Sequence, residues 1–135
     1  SQLCRDAVIN NSFAVMSVKT VVIGASENPE RYSNKAIKML CHFGHKVVAI
    51  GNKAGSIGEV SILIGQPEIK EVDTITLYLS PKNQTSLYQY LLSLRPRRMI
   101  FNPGAENPEF ENMAQSAGID VQRACTLVLL STGQY

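Results

Sequence analysis

The residues best suited to chemistry in this chain run from Thr20 to Arg31 and read T-V-V-I-G-A-S-E-N-P-E-R. A short apolar run breaks at Gly24, passes two small residues, and gives way to a helical pattern near Ser33. A buried strand that ends in a tight glycine turn and feeds a helix aims backbone N–H groups, and the positive end of the helix, at one spot. Such a spot suits a phosphate or diphosphate. Arg31 adds a cation within reach, and a guanidinium binds phosphate oxygens bidentately. The alternative for Arg31 is a surface ion pair with Glu27 or Glu30.

Groups that would carry catalysis are sparse. The two histidines, His42 and His45, flank the end of the first helical segment, on the side away from the carboxyl ends of the strands, where solvated or capping roles are expected. Three cysteines (Cys4, Cys41 and Cys125) lack metal-ligand spacing and read as reduced thiols of a cytosolic protein. No Ser-His-Asp set, paired-carboxylate site or metal-ligand cluster stands out. Tyr32, Tyr78, Tyr88 and Tyr90 read as packing or adenine-stacking residues rather than acids. The expectation is a binder rather than a catalyst.

These residues need elements to position them, and the chain supplies an alternation of strands and helices from Lys19 onward. Thr20–Gly24 reads as a buried strand. From Ser33 a 3.6-residue stripe of Ala36, Ile37, Leu40 and Phe43 marks a helix that stops at Gly44, with Lys35, Lys38 and His42 on its wet side. Lys46–Ile50 is the second strand, and Ile62–Ile64 a short further one before the Gly65-Gln66-Pro67 turn. Thr74–Leu79, rich in β-branched and aromatic residues, is strand-like. A helix from Lys82 to Leu94 follows, with Leu87, Leu91 and Leu94 inward, and Pro96 forbids its continuation. Arg98–Phe101 is a strand. Glu109–Ala117 is a helix with Phe110, Met113 and Ala114 inward, Ile119–Val121 the last strand, and Cys125–Leu130 a last helical or apolar segment. This order predicts an α/β fold: a single doubly wound, mostly parallel, Rossmann-like sheet with helices on both faces.

In such a sheet the ligand crevice lies beyond the carboxyl ends of the strands, where strand order reverses. Four loops should meet on that edge: Gly24-Ala25-Ser26, Gly51-Asn52-Lys53, Ser80-Pro81-Lys82-Asn83 and Asn102-Pro103-Gly104. Each alone is also an ordinary turn composition. The G-x-G-x-x-G fingerprint is represented only by its first glycine. After the second strand, where an NAD site places an acid for the ribose hydroxyls, the sequence has Asn52 and Lys53. Lysine there favours an additional phosphate, which fits NADP or coenzyme A better than NAD. Its other reading is a solvated loop lysine.

Composition sets the outer bounds. The chain has 135 residues, 44% of them apolar and 18% charged, which fits one compact domain with a sizeable core. A net charge of +2 excludes the dense basic stripe of a nucleic-acid binder. No apolar run approaches the ~20 residues of a membrane span, and no secretory signal is evident. Ser1 to Val18 is read as an N-terminal extension whose apolar pieces, Asp6–Ile9 and Phe13–Val15, leave a helix packed on the sheet as one alternative.

V-V-I-G-A-S-x-N-P-E-R followed by a helix resembles the stand-alone CoA-binding proteins, small Rossmann domains similar to the N-terminal CoA-binding domain of the succinyl-CoA synthetase alpha subunit. The resemblance runs from about Lys19 to Tyr135 and includes V-D-T-I-T-L-Y-L-S-P, F-N-P-G-A-E-N and A-C-T-L-V-L-L-S-T-G-Q-Y. It implies that Gly24, Ala25 and Ser26 cradle a diphosphate, and that Asn28, Pro29 and Arg31 frame the CoA side of the pocket. Asn52 and Lys53 match the loop after the second strand, although the proline often found there is missing. Leu79, Ser80 and Pro81 match the loop lining the nucleotide, and Asn102 and Gly104 the next one. The implied ligand is coenzyme A or an acyl-CoA, with a homo-oligomer or an unidentified protein partner as further expectations. In the larger synthetase a phosphorylated histidine on another domain carries catalysis; no residues of this sequence match that domain, so ligase activity is not implied. Cys125 could pair with a CoA thiol as a mixed disulfide, or pack as a small core residue beside Leu127, Val128 and Leu129. A competing reading is an NAD(P)-binding oxidoreductase or redox-sensing subunit.

Overall fold

Val21, Val22 and Ile23 are all buried, so the first strand is covered on both faces and belongs at the centre of a sheet. The computed structural model describes residues 19–135; the expected N-terminal extension lies outside the described residues. In chain order the elements are β1 (Lys19–Ile23), α1 (Tyr32–His42), β2 (Lys46–Ile50), β3 (Gly55–Ile57), β4 (Val60–Leu63), β5 (Thr74–Leu77), α2 (Pro81–Gln84), a 3-10 turn (Thr85–Leu87), α3 (Tyr88–Ser93), β6 (Arg98–Phe101), α4 (Pro108–Ser116), β7 (Asp120–Arg123) and α5 (Thr126–Ser131). Seven strands form one sheet in the order β3-β4-β2-β1-β5-β6-β7. Every pairing is parallel except β3 with β4. This is the expected Rossmann-like α/β sheet.

Side chains alternate along each strand and so divide into two cores. Val21, Ile23, Ile75, Leu77, Met99 and Phe101 pack beneath α3 and α4, against Leu91, Phe110 and Ala114. Val22, Ala49 and Ile62 face α1 and α5, against Ile37, Leu40, Cys41 and Leu130. The second face is unusually polar toward β5 and β6, where Thr74, Thr76, Arg98 and Asn102 are all buried. Each has a partner, as interior polar groups require: Arg98 Nε donates to Thr74 Oγ1 at 3.1 Å, and the Thr76 and Thr126 hydroxyls are 2.7 Å apart.

Several elements differ from the sequence reading. Phe43 was expected in the buried stripe of α1 but is 51% exposed, edge-on to His42, because the helix ends at His42 and the chain turns through Gly44 at φ +85°. Cys41 fills the stripe instead. The strand expected at Ile62–Ile64 runs from Val60 to Leu63 and is one arm of a hairpin with β3, which has no counterpart in the sequence reading. The single helix expected over Lys82–Leu94 is broken into α2, the 3-10 turn and α3. Gln84 is fully buried there, with its Nε2 donating to Leu79 O and Ala105 O, both at 2.8 Å. That anchor holds α2 while Leu91 must still reach the core, and the tighter 3-10 turn lies between the two demands.

Candidate functional site

Strands β1, β2, β5 and β6 are parallel, so the loops that follow them share one edge. The chain passes from β1 to β2 on one side and later places β5 on the other. The order therefore reverses at the β1/β5 boundary, where ligands bind in sheets of this class.

Gly24 opens the turn at φ +94°, a conformation that favours glycine. A β-carbon there would also crowd Tyr78 O at 3.1 Å and Leu79 Cδ2 at 3.2 Å. The amides of Gly24 and Ala25 both donate to Ile50 O, at 2.9 and 3.0 Å, and so tie the turn to β2. The next two amides, Ser26 and Glu27, have no hydrogen-bond acceptor among the described residues. Ser26 Oγ accepts from Asn28 N at 3.1 Å, and Asn28 Oδ1 accepts from Glu30 N at 3.0 Å. Arg31 N donates to Asn28 O at 3.1 Å, so N-P-E-R closes on itself before the helix begins. Pro29 suits this because it has no N–H to satisfy.

Arg31 is the N-cap of α1, and its side chain makes no capping bond; the first turn has no acidic residue. The positive end of the helix is left without an internal counter-charge. Neither Arg31 nor Lys53 forms an ion pair among the described residues. Glu27, one partner considered for Arg31, instead accepts from Ser56 N at 2.9 Å. Asn34, 2% exposed, donates to Ser26 O at 2.9 Å and pins the turn to the helix, while its Oδ1 is buried with no partner among the described residues.

The neighbouring loops complete the edge. Asn52 and Lys53 are exposed beyond β2. Leu79 lies against Gly24, and Ser80 and Pro81 begin α2 at the surface. Gly104 has φ +93°, with open space where a side chain would stand. Asn102 is different: it is 1% exposed, its Nδ2 donates to Thr76 Oγ1 and Leu77 O, and its Oδ1 accepts from Thr126 N at 2.8 Å. It fastens this loop from beneath.

The sequence reading names Gly51 only as part of the loop after β2 and Glu27 only as a partner for Arg31, and it does not name Asn34 or Gln84. Asn34 had a signal, a polar residue on the inner face of α1 one turn ahead of Ile37. Gln84 had none, since two of its partners, Ala105 and Asn107, lie more than twenty residues away. Among the tyrosines, Tyr88 stacks on Phe110 with centroids 4.4 Å apart, and Tyr90 donates to Pro67 O; both are packing residues. Burial pushes the Tyr78 phenol up to about 12, so it stays protonated near neutrality. Cys125, partly buried, is the N-cap of α5. His45 lies at the opposite, amino edge, beside Tyr135. Among the described residues no cluster of three or more His, Cys, Asp or Glu could hold a metal, and no helix is long and apolar enough to cross a membrane.

The fold defines a Rossmann-like α/β protein with a glycine turn at its strand-order reversal, and comparison with known proteins narrows the class. A family model described as CoA binding domain matches residues 18–131. The chain belongs to this CoA-binding domain family. A solved structure of an uncharacterised protein is 43% identical, with a TM-score of 0.86, covering 88% of this chain and 98% of that one. A Thermus thermophilus protein shares the fold at 20% identity and a TM-score of 0.78, covering 96% and 98% of the two chains. The dinucleotide-forming acetyl-coenzyme A synthetase 1 of Ca. Korarchaeum cryptofilum shares it at 17% identity and 0.66, over 78% of this chain but 25% of its own. No curated protein matches the chain.

Proposed function

We propose that residues 19–135 form a non-catalytic module that binds coenzyme A or an acyl-CoA, with the diphosphate seated on the turn between β1 and α1. The observation that carries this reading is the set of unengaged donors there. The amides of Ser26 and Glu27, the uncapped end of α1 and the unpaired Arg31 belong to one short segment. An anion satisfies all of them at once. Membership of the CoA-binding domain family supports the choice of anion.

On this reading Gly24 and Ala25 shape the seat rather than donate to it, since their amides are spent on Ile50. Asn28 and Pro29 hold the turn, and Arg31 pairs with the diphosphate. Lys53, with Asn52, answers the additional phosphate on the ribose of CoA. Leu79, Ser80, Pro81 and Gly104 line the neighbouring loops, with Asn102 supporting the last. CoA supplies a thiol that carries acyl groups as thioesters; the residues of this chain bind and orient it.

Calorimetric titration with CoA, acetyl-CoA, NAD(H) and NADP(H) tests the proposal. Saturable heat with the CoA species is the expected result. Heat with NADP(H) and none with either CoA species would overturn it in favour of a nicotinamide-binding protein.

A further inference from the structure

We propose that Glu27 is a positioning residue that sets this site's selectivity for a nucleotide carrying an outlying phosphate on its ribose, by clamping the Lys53 loop to the diphosphate turn. The proposal rests on the CoA reading above.

Two close approaches join the loops. A β-carbon on Gly51 would stand 2.4 Å from Ala25 O, so the backbones touch where the β2 loop begins. Where that loop ends, the Glu27 carboxylate occupies the space a side chain on Gly55 would need, 2.4 Å from its β-carbon, and accepts from Ser56 N at 2.9 Å. Lys53 lies between these two points and has no partner of its own among the described residues. The region its flexible ammonium can reach is therefore set by the backbone that carries it. Downstream, the β3–β4 hairpin is held by the pairs Ala49–Ile62 and Ile50–Leu63, by Gly51 N donating to Leu63 O at 2.9 Å, and by Ile57 and Val60 in the core, none of which reaches Lys53 itself. Without Glu27 the loop loses its bond to the diphosphate turn, and the cation must be ordered against that turn when ligand binds, at an entropic cost that falls on the outlying phosphate alone. A carboxylate beside an anion seat is otherwise unfavourable. Its hydrogen bond to the far loop supplies a reason for its presence.

Coenzyme A and dephospho-CoA differ only by that phosphate, so the ratio of their dissociation constants is the readout. Six proteins are compared by calorimetry, each first shown folded by circular dichroism: the unsubstituted chain, Glu27→Ala, Glu27→Gln, Gly55→Ala, Lys53→Ala and the Glu27→Ala/Lys53→Ala double variant. Glu27→Ala should lower the preference for CoA by about three- to tenfold, the order of the cost of immobilising one flexible side chain, without weakening dephospho-CoA. It should add little to Lys53→Ala. Glu27→Gln should keep the preference, because its amide oxygen still accepts from Ser56. Gly55→Ala, whose β-carbon displaces the carboxylate, should behave like Glu27→Ala. Equal weakening of both ligands by Glu27→Ala, or a Gln variant that behaves like Ala, would overturn the clamp. An unsubstituted chain that binds both ligands equally overturns this selectivity but leaves the diphosphate seat intact; one that binds neither overturns both.

Discussion

Ala25 O lies 2.4 Å from the point where a β-carbon on Gly51 would stand, so the turn after β1 and the loop after β2 meet backbone to backbone. Relief of that clash requires the Ala25 carbonyl to move, and Ser26 with it. Gly51→Ala is expected to destabilise the fold by about 1–3 kcal/mol, the usual range for overpacking. Gly55→Ala displaces only the end of a flexible side chain and should cost clearly less. Urea unfolding of the two variants gives the comparison; equal midpoints would contradict it.

Arg31→Ala should weaken CoA binding by about 1–3 kcal/mol, the range for hydrogen bonds to charged groups. Arg31→Lys should recover only part, since lysine cannot form the two-pronged contact. Calorimetry measures both, and an unchanged affinity would remove Arg31 from the site.

Asn102 satisfies two acceptors and one donor in the interior. Asn102→Ala strands the Thr126 N–H and the Leu77 carbonyl, and unpaired buried groups cost about 1–3 kcal/mol each. The fall in stability should exceed that of Ser80→Ala, where the side chain is at the surface. Chemical denaturation of both decides this.

Burial, and then the nearby Arg98 charge, lowers the pKa of His45 in the fold. The folded chain thus takes up this proton less readily than the unfolded chain. The contribution of His45 to stability is full above the unfolded value of about 6.5 and is lost as pH falls from there through the folded value. Melting temperatures should decline between about pH 7 and pH 5, and His45→Gln should flatten that decline. A variant with an unchanged slope would assign the pH dependence to other groups.

What the amino-acid sequence determined by itself was local. Continuous apolar runs at Val21–Ile23 and Met99–Phe101, helical periodicity after Ser33 and glycines at strand ends encode a parallel, two-faced sheet, because burial on both faces demands such runs. The same reading ended the first strand in a tight turn at Gly24 and grouped four loops on one edge. Tertiary structure decided whatever depends on a distant partner. Gly24 and Ala25 cannot offer their amides to a ligand, because Ile50, on the neighbouring strand, already accepts both. Asn102 went inward because Thr76 and Thr126 wait there, and Gln84 is held in the interior by Ala105 and Asn107. The β3 strand, with Gly55 and Ser56 among its three residues, shows no alternation and exists by pairing with β4. Periodicity records which faces are buried; hydrogen-bond partnership is a property of two segments at once, and only the folded chain brings them together.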